Sequence, residues 1–227
     1  MFPLRDNIPS RTFPAVNYLL ISLNLAVFVY ELILGPKGLE TLVREYGLIP
    51  ARFNYLLQVD PLAIEGWLVP LFSSMFIHAG WLHLIGNMWM LYIFGDNVED
   101  RLGHGRYLLF YILSGLGAAA SQLSAHPFSG VPMVGASGAI SGVMGGYLLL
   151  FPRARVLTLV PIFFLVTIVE IPAFVFLIFW FLIQFLSGTF ALLIPGELRG
   201  GIAWWAHIGG FITGAVLIFF LAWRRRR

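Results

Sequence analysis

The sequence predicts an all-α membrane protein, a bundle of six transmembrane helices in a single domain that spans residues 1–227. Hydrophobic residues make up 59% of the chain and charged residues 11%, and the mean hydropathy is +0.86. Soluble domains carry about 25% charged residues, so this composition indicates an integral membrane protein. A membrane-spanning helix needs about 20 mostly apolar residues. The apolar runs are Ala15–Leu34, Leu71–Phe94, Tyr107–Leu123, Ser137–Phe151, Pro172–Phe190 and Ile202–Trp223.

The segments between the runs differ in character. Residues 1–14 form a short N-terminal segment, and the run that follows is too long for a signal peptide and lacks a cleavage site, so we expect it to remain as an anchor. Residues 35–69 mix charged and aromatic side chains, which predicts a long, structured outer loop partly in the membrane interface. Val156–Glu170 is apolar but broken by Pro161. We interpret it as an interfacial connector, with a seventh span as the alternative.

The basic residues predict the orientation. With six spans and the N-terminus inside, ten of the fourteen Lys and Arg lie in inner segments, namely Arg5, Arg11, Arg101, Arg106, Arg153, Arg155 and Arg224–Arg227. The outer segments hold Lys37, Arg44, Arg52 and Arg199. This asymmetry follows the positive-inside rule and predicts that both termini are cytoplasmic. The six-span form without further domains predicts a multi-pass protein of a prokaryotic inner membrane, with an organellar membrane as the alternative.

Two polar residues stand out in the apolar runs. Ser137 begins the fourth run and His207 lies near the start of the sixth, and such groups inside a membrane indicate function. Both helices run from outside to inside, and the two residues precede inner Arg153 and Arg224 by sixteen and seventeen positions. Both therefore lie roughly 24–26 Å above the inner boundary. The matching depth predicts a nucleophile and its base.

The second run supplies further polar groups. His83 and Asn87 are four residues apart and share one helix face. Their N–H groups, together with the backbone N–H groups near Ser137, are candidate donors for an oxyanion. His78 lies near the outer end of the same run, where we expect it to anchor the outer loop.

Glycines predict close packing of the two helices that carry the serine and the histidine. Gly138, Gly142 and Gly146 recur every four residues in the fourth run, and Gly210 and Gly214 follow His207 in the sixth. Small residues at this spacing allow membrane helices to approach backbone to backbone. The side chains of Ser137 and His207 could then reach hydrogen-bond distance.

Each of these residues also has a simpler interpretation. Serine is a common packing residue in membrane helices, and His207 could bond a carbonyl of a neighbouring helix. The Phe-rich fifth run is typical of a lipid-facing helix. The absence of cysteine excludes disulfides and thiolate chemistry, and topology explains the net charge of +3 without nucleic acid. A metal site built from the histidines is disfavoured because no carboxylate or thiolate completes it, and no cofactor is predicted.

Taken together, the motifs resemble those of the rhomboid family of intramembrane serine proteases. The matching pieces are Gly135-Ala136-Ser137-Gly138, His207 with Gly210 and Gly214, the set His78, His83 and Asn87, and the segment Glu99-Asp100-Arg101-Leu102-Gly103. The resemblance covers about residues 72–221, within a catalytic core of residues 72–223. It departs at Ser141, where some members have an aromatic residue that stacks on the histidine. We expect Gly138, Gly142 or Ser141 to support His207 instead.

The resemblance implies a function. Ser137 would be the nucleophile, His207 the general base, and His83 and Asn87 the oxyanion donors. The partners would be single-span membrane proteins in the bilayer, cut near the outer face. Two alternatives remain: a non-catalytic relative that binds membrane proteins and guides their trafficking, which would normally lack the serine or the histidine, and a small transporter.

Overall fold

The structure, a computed structural model, describes residues 1–162, 165–193 and 202–222. Its helices are α1 (Ala15–Tyr46), α2 (Pro50–Val59), α3 (Ile64–Ser73), α4 (Trp81–Leu102), α5 (His104–Ala125), α6 (Ser137–Leu150), α7 (Ala173–Leu193) and α8 (Trp204–Leu221). Its strands are β1 (Phe2–Asp6), β2 (Arg155–Ile162) and β3 (Leu165–Pro172). The prediction of a mainly helical membrane protein is confirmed. Arg199 and the run Arg224–Arg227, which entered the topology argument, lie outside the described residues.

The predicted spans differ in how well they match membrane-crossing helices. Among the described residues, four helices are long and apolar enough to cross a bilayer: α1, α5, α7 and α8. The pair formed by α3 and α4 is a fifth candidate, bent by 79°. Helix α6 has 14 residues, about 21 Å at 1.5 Å per residue, which is shorter than the roughly 30 Å hydrocarbon core.

The predicted outer loop, residues 35–69, is helical. Helix α1 kinks at Gly35, whose φ of 65° lies outside the helical region, and then continues to Tyr46. Helices α2 and α3 fill most of the remaining loop, so the prediction of a structured loop is confirmed. The second predicted span does not start at Leu71, because a short 3-10 turn follows α3 and Gly80 adopts a φ of 156°. Helix α4 begins only at Trp81.

The connection after α6 forms a small antiparallel sheet. Strands β2 and β3 pair from Arg155↔Pro172 onwards, and β1 adds to β2 with Asp6↔Val156. The prediction of an exclusively helical chain is therefore wrong here, as is a seventh helical span. The segment is rich in Val, Ile, Leu and Thr, residue types that fit a half-buried pleated surface, and strand pairing satisfies the backbone groups that a connector would leave open.

Helix α6 lies at the centre of the bundle, and Gly138–Tyr147 are all buried. Glycines bring it against α8: a Cβ on Gly142 would lie 3.0 Å from the Gly210 carbonyl oxygen, and Cβ atoms on Gly210 and Gly214 would collide with the carbonyls of Gly138 and Gly142. The predicted glycine-mediated approach of these helices is confirmed.

Glu99 fixes the N-terminal end of α1. Its buried carboxylate accepts hydrogen bonds from the backbone N–H groups of Val16 and Asn17, at 2.9 and 2.7 Å. These are among the N–H groups that the first turn of a helix leaves without a partner, and a carboxylate there also complements the helix dipole. Glu99 thereby joins α1 to α4.

Candidate active site

The predicted serine and histidine lie side by side. Ser137 is the first residue of α6, and His207 lies in the first turn of α8. The distance from Ser137 Oγ to His207 Nε2 is 2.7 Å. The close glycine contacts between the two helices explain how side chains 70 positions apart in the chain reach this distance. A hydroxyl in this contact can pass its proton to the imidazole as it attacks a carbonyl.

The other nitrogen of His207 has a partner that the sequence analysis did not identify. His207 Nδ1 lies 2.8 Å from Oε1 of Gln184, a buried residue of α7. An amide oxygen can only accept, so Nδ1 carries the proton in this arrangement. Nε2 is then left with a lone pair that accepts from the Ser137 hydroxyl. This is the tautomer that a general base needs.

Two tryptophans flank the imidazole. The ring of Trp180, on α7, lies 6.0 Å from that of His207, and the ring of Trp204 lies 6.3 Å away in an edge-on arrangement. The expectation that Ser141 supports His207 through a hydrogen bond is wrong, whereas support by Gly138 or Gly142 stays a prediction. Ser141 instead donates to the carbonyl oxygen of Ser137 at 2.6 Å, and the glycines adjoin Ala118, Ser114 and the backbone of α8.

His83 and Asn87 border Gly135, two residues before the serine. A Cβ on Gly135 would lie 2.6 Å from the His83 imidazole and 3.7 Å from Asn87 Nδ2. Nδ1 of His83 accepts from the Ala79 backbone N–H at 3.4 Å, which leaves Nε2 as the donor. Within the described part of the chain, the buried Nδ2 of Asn87 has no hydrogen-bond partner. Both side chains can thus offer N–H groups to a ligand.

The N-terminus of α6 is a third source of donors. Residue Ala136 precedes the helix and provides no side-chain cap, so the first backbone N–H groups of the helix are not satisfied by a side chain. Gly135 enters the helix with a φ of 119°, a conformation that favours glycine. The positive end of the helix dipole therefore lies at Ser137.

His78 is completely buried in the connection between α3 and α4. Its backbone N–H donates to Oε1 of Glu31 at 3.0 Å, and its Nδ1 contacts the Phe76 carbonyl oxygen at 3.2 Å. Its ring stacks edge-on against that of His83, with 5.0 Å between centroids. The contact with Glu31 ties the start of α4 to α1, as expected for an anchoring residue, and the ring contact helps to hold His83.

The candidate catalytic side chains line a cavity of about 1640 Å³. Its lining includes Ser137, His207, His83, Asn87 and Trp180, with further residues from the connection between α5 and α6. The volume is large enough for several residues of an extended peptide. Ser137, His207 and the candidate oxyanion donors all face this space.

Three contributors were missed in the sequence: Gln184, Trp180 and Glu31. Gln184 is an amide within the Phe-rich fifth run, and Glu31 is a carboxylate within the first. Polar groups at such positions are costly in lipid and need partners. Gln184 and Glu31 can therefore be recognised in the sequence as polar residues within apolar runs. Trp180 carries no such signal.

The sequence matches a known family and several known proteins. Residues 65–224 match the family model described as "Rhomboid domain". The chain is 36% identical over 151 residues to "RHOMBOID-like protein 6, mitochondrial" of Arabidopsis thaliana, covering 66% of this chain and 43% of the relative. It is 35% identical over 136 residues to "Rhomboid protease GluP" of Bacillus subtilis (strain 168), covering 60% and 24%.

A longer alignment, with 28% identity over 215 residues, covers 88% of this chain and 58% of "RHOMBOID-like protein 12, mitochondrial" of Arabidopsis thaliana. The chain spans less than two thirds of the length of these relatives. The family match covers most of the chain and includes every residue of the cavity site named above. The chain belongs to the rhomboid family, whose members are generally intramembrane serine proteases.

Proposed function

We propose that this protein is a serine endopeptidase that cleaves membrane-spanning segments of other proteins with a Ser137–His207 dyad. The observation that carries the proposal is the 2.7 Å contact between Ser137 Oγ and His207 Nε2, at the meeting point of two closely packed helices. Packing alone does not require a hydroxyl and an imidazole here, because the neighbouring contacts between α6 and α8 are made by glycines.

In the proposed reaction, Ser137 Oγ attacks the scissile carbonyl while His207 Nε2 takes its proton. His83 Nε2, Asn87 Nδ2 and the backbone N–H of Ser137 stabilise the oxyanion. His207 then donates the proton to the leaving amine, and water releases the acyl group by the reverse sequence. Since the base must be neutral, the rate falls in acid as the imidazole is protonated.

The substrates would be single-span membrane proteins. A helix in lipid has its backbone groups satisfied internally, so a cleavable segment must unwind before its carbonyl reaches the serine. The polar cavity provides donors for the unwound chain. The proposal includes six crossings, with α6 as a short, protein-enclosed span, both termini on the cytoplasmic side, and cleavage near the outer face of a prokaryotic inner membrane.

The test is cleavage of a tagged single-span substrate by purified protein in liposomes. We expect Ser137→Ala and His207→Ala to abolish cleavage. Ser124→Ala should retain it, because within the part of the chain that the structure describes this exposed hydroxyl bonds only the Ala120 carbonyl of its own helix. Labelling with a fluorophosphonate should require both Ser137 and His207. Cleavage that persists in both alanine variants would refute the dyad. A folded wild type that neither cleaves nor takes the label would instead favour a non-catalytic binding role.

A further inference from the structure

One face of α7 is built around His207. Trp180, Gln184 and Gly188 follow one another at intervals of four and therefore lie on one side of the helix. Trp180 contacts the imidazole ring and Gln184 bonds its Nδ1. A Cβ on Gly188 would lie 3.2 Å from the Cβ of Trp204 on α8. The missing side chain at Gly188 thus allows α7 to lie close enough for Gln184 to reach the histidine.

Gln184 is unusual within its helix. Its exposed fraction is 6%, whereas most of the neighbouring apolar residues of α7 are exposed on the outer surface of the protein. A buried amide without a hydrogen bond is costly. Its described partner is Nδ1 of His207. A leucine would serve packing against α8 equally well, so the choice of an amide needs a chemical reason.

We propose that Gln184 is a positioning residue that makes the Ser137–His207 pair a hydrogen-bonded triad with a neutral third member. The inference rests on the proposed function. Gln184 Oε1 holds the proton on Nδ1 and so keeps Nε2 free to accept from Ser137. When Nε2 takes the proton, the Nδ1–H bond to Gln184 keeps the ring aligned toward the leaving group. His83 of α4 and His126, which follows α5, are titratable side chains that line the same cavity as His207.

The tautomer and orientation of His207 therefore depend on how closely α7 packs against α8. If α7 moves away from α8, the Trp180 and Gln184 contacts with His207 break together, because both belong to the same face. The ring then loses its preferred tautomer. A misplacement of a catalytic group by about 1 Å can lower the rate about 10²-fold. Close packing of α7 against α8 is therefore a condition for full activity.

The experiment compares Gln184→Met and Gln184→Glu in liposomes with the single-span substrate. Methionine keeps the length but removes the acceptor, and we expect kcat to fall about tenfold to a hundredfold with KM little changed. Glutamate keeps an acceptor and should recover part of the rate. A carboxylate stabilises the imidazolium form of His207. In Gln184→Glu, the pH below which the cleavage rate falls should therefore be higher than in wild type by about one pH unit or more. Thr189→Val is the control, since among the described residues Thr189 bonds only the Phe185 carbonyl within α7.

The outcomes separate the two proposals. A Gln184→Met variant with wild-type kcat and pH profile would overturn the positioning role while leaving the dyad intact. Equal losses in both variants, with unshifted acidic limbs, would also overturn it. If wild type and Ser137→Ala are equally inactive, the proposed function itself fails. Should Gln184→Glu not fold, the rate of fluorophosphonate labelling of Gln184→Met decides: a normal rate refutes the inference.

Discussion

The hydroxyl of Tyr147 donates a 2.5 Å hydrogen bond to the carboxylate of Asp6. Asp6 ends strand β1, and Tyr147 lies in α6, the helix that begins with Ser137. The same carboxylate oxygen accepts from Nδ2 of Asn97 on α4 at 2.9 Å. The N-terminal strand is therefore joined to the two helices that carry the serine and the candidate oxyanion donors.

The Asp6 contact predicts a pH-dependent stability. The pKa of Asp6 is raised from 3.8 to about 6, because burial, the largest effect, and the charge of Asp96 together outweigh the lowering by the Tyr147 hydrogen bond. Because the pKa in the folded state is higher than in the unfolded state, the stabilisation is complete below about pH 3.8 and is lost as pH rises through about 6. We expect Asp6→Asn to melt at a higher temperature than wild type near pH 7 and at a similar temperature near pH 4.

Asp60→Asn provides the control for that measurement, because Asp60 is an exposed aspartate directly after α2. Thermal unfolding in one detergent from pH 4 to 8 is sufficient. Asparagine can still accept the Tyr147 bond through its amide oxygen, so the comparison isolates the charge. Parallel melting curves for wild type and Asp6→Asn across this range would contradict the prediction.

Asn87 should separate activity from stability. Its buried Nδ2 has no hydrogen-bond partner among the described residues, so Asn87→Leu removes an unsatisfied donor and should leave the melting temperature unchanged or higher. If the amide stabilises the oxyanion, kcat should fall by about 10²-fold. The matched variant is Asn97→Leu, which loses bonds to Asp6 and Asp96 and should cost about 1–3 kcal/mol in stability.

A destabilised but fully active Asn87→Leu would mean that Asn87 is a structural residue. Melting temperature and initial cleavage rate, measured on the same preparations, distinguish the two roles. Each purified variant is divided into two portions. Melting temperatures are compared in one detergent, and cleavage rates are compared in liposomes of one lipid composition.

Packing of α6 against α8 should be intolerant of a single methyl group. A Cβ on Gly210 would collide with the Gly138 carbonyl, whereas a Cβ on Gly105 meets nothing within 4 Å. We expect Gly210→Ala to lose about 1–3 kcal/mol of stability together with cleavage activity. Gly105→Ala, also in a helix, should be neutral or slightly stabilising. Equal melting temperatures for the two variants would mean that α6 and α8 can separate freely.

The pairing of Ser137 with His207 was predictable because depth in a membrane follows from residue counts on regular helices. Glycine spacing added the reason for their close approach. The sheet was not predictable in the same way, since β1 and β2 lie about 150 positions apart in the chain, and the apolar β2–β3 segment also suited an interfacial connector. Gln184 stands out in the sequence as an amide within an apolar run, but its partner depends on the rotation of α7 about its axis, which hydropathy does not encode.

Gly135 should be required for the position of His83. Any side chain there would adopt a strained φ of 119° and place its Cβ 2.6 Å from the imidazole. We expect Gly135→Ala to displace the ring and to lower cleavage at least about tenfold, since lost oxyanion donors cost about 10²–10³-fold. Gly130→Ala, in the same connection, meets nothing within 4 Å and should cleave like wild type. A Gly135→Ala variant with a wild-type rate would show that His83 contributes nothing to the oxyanion site.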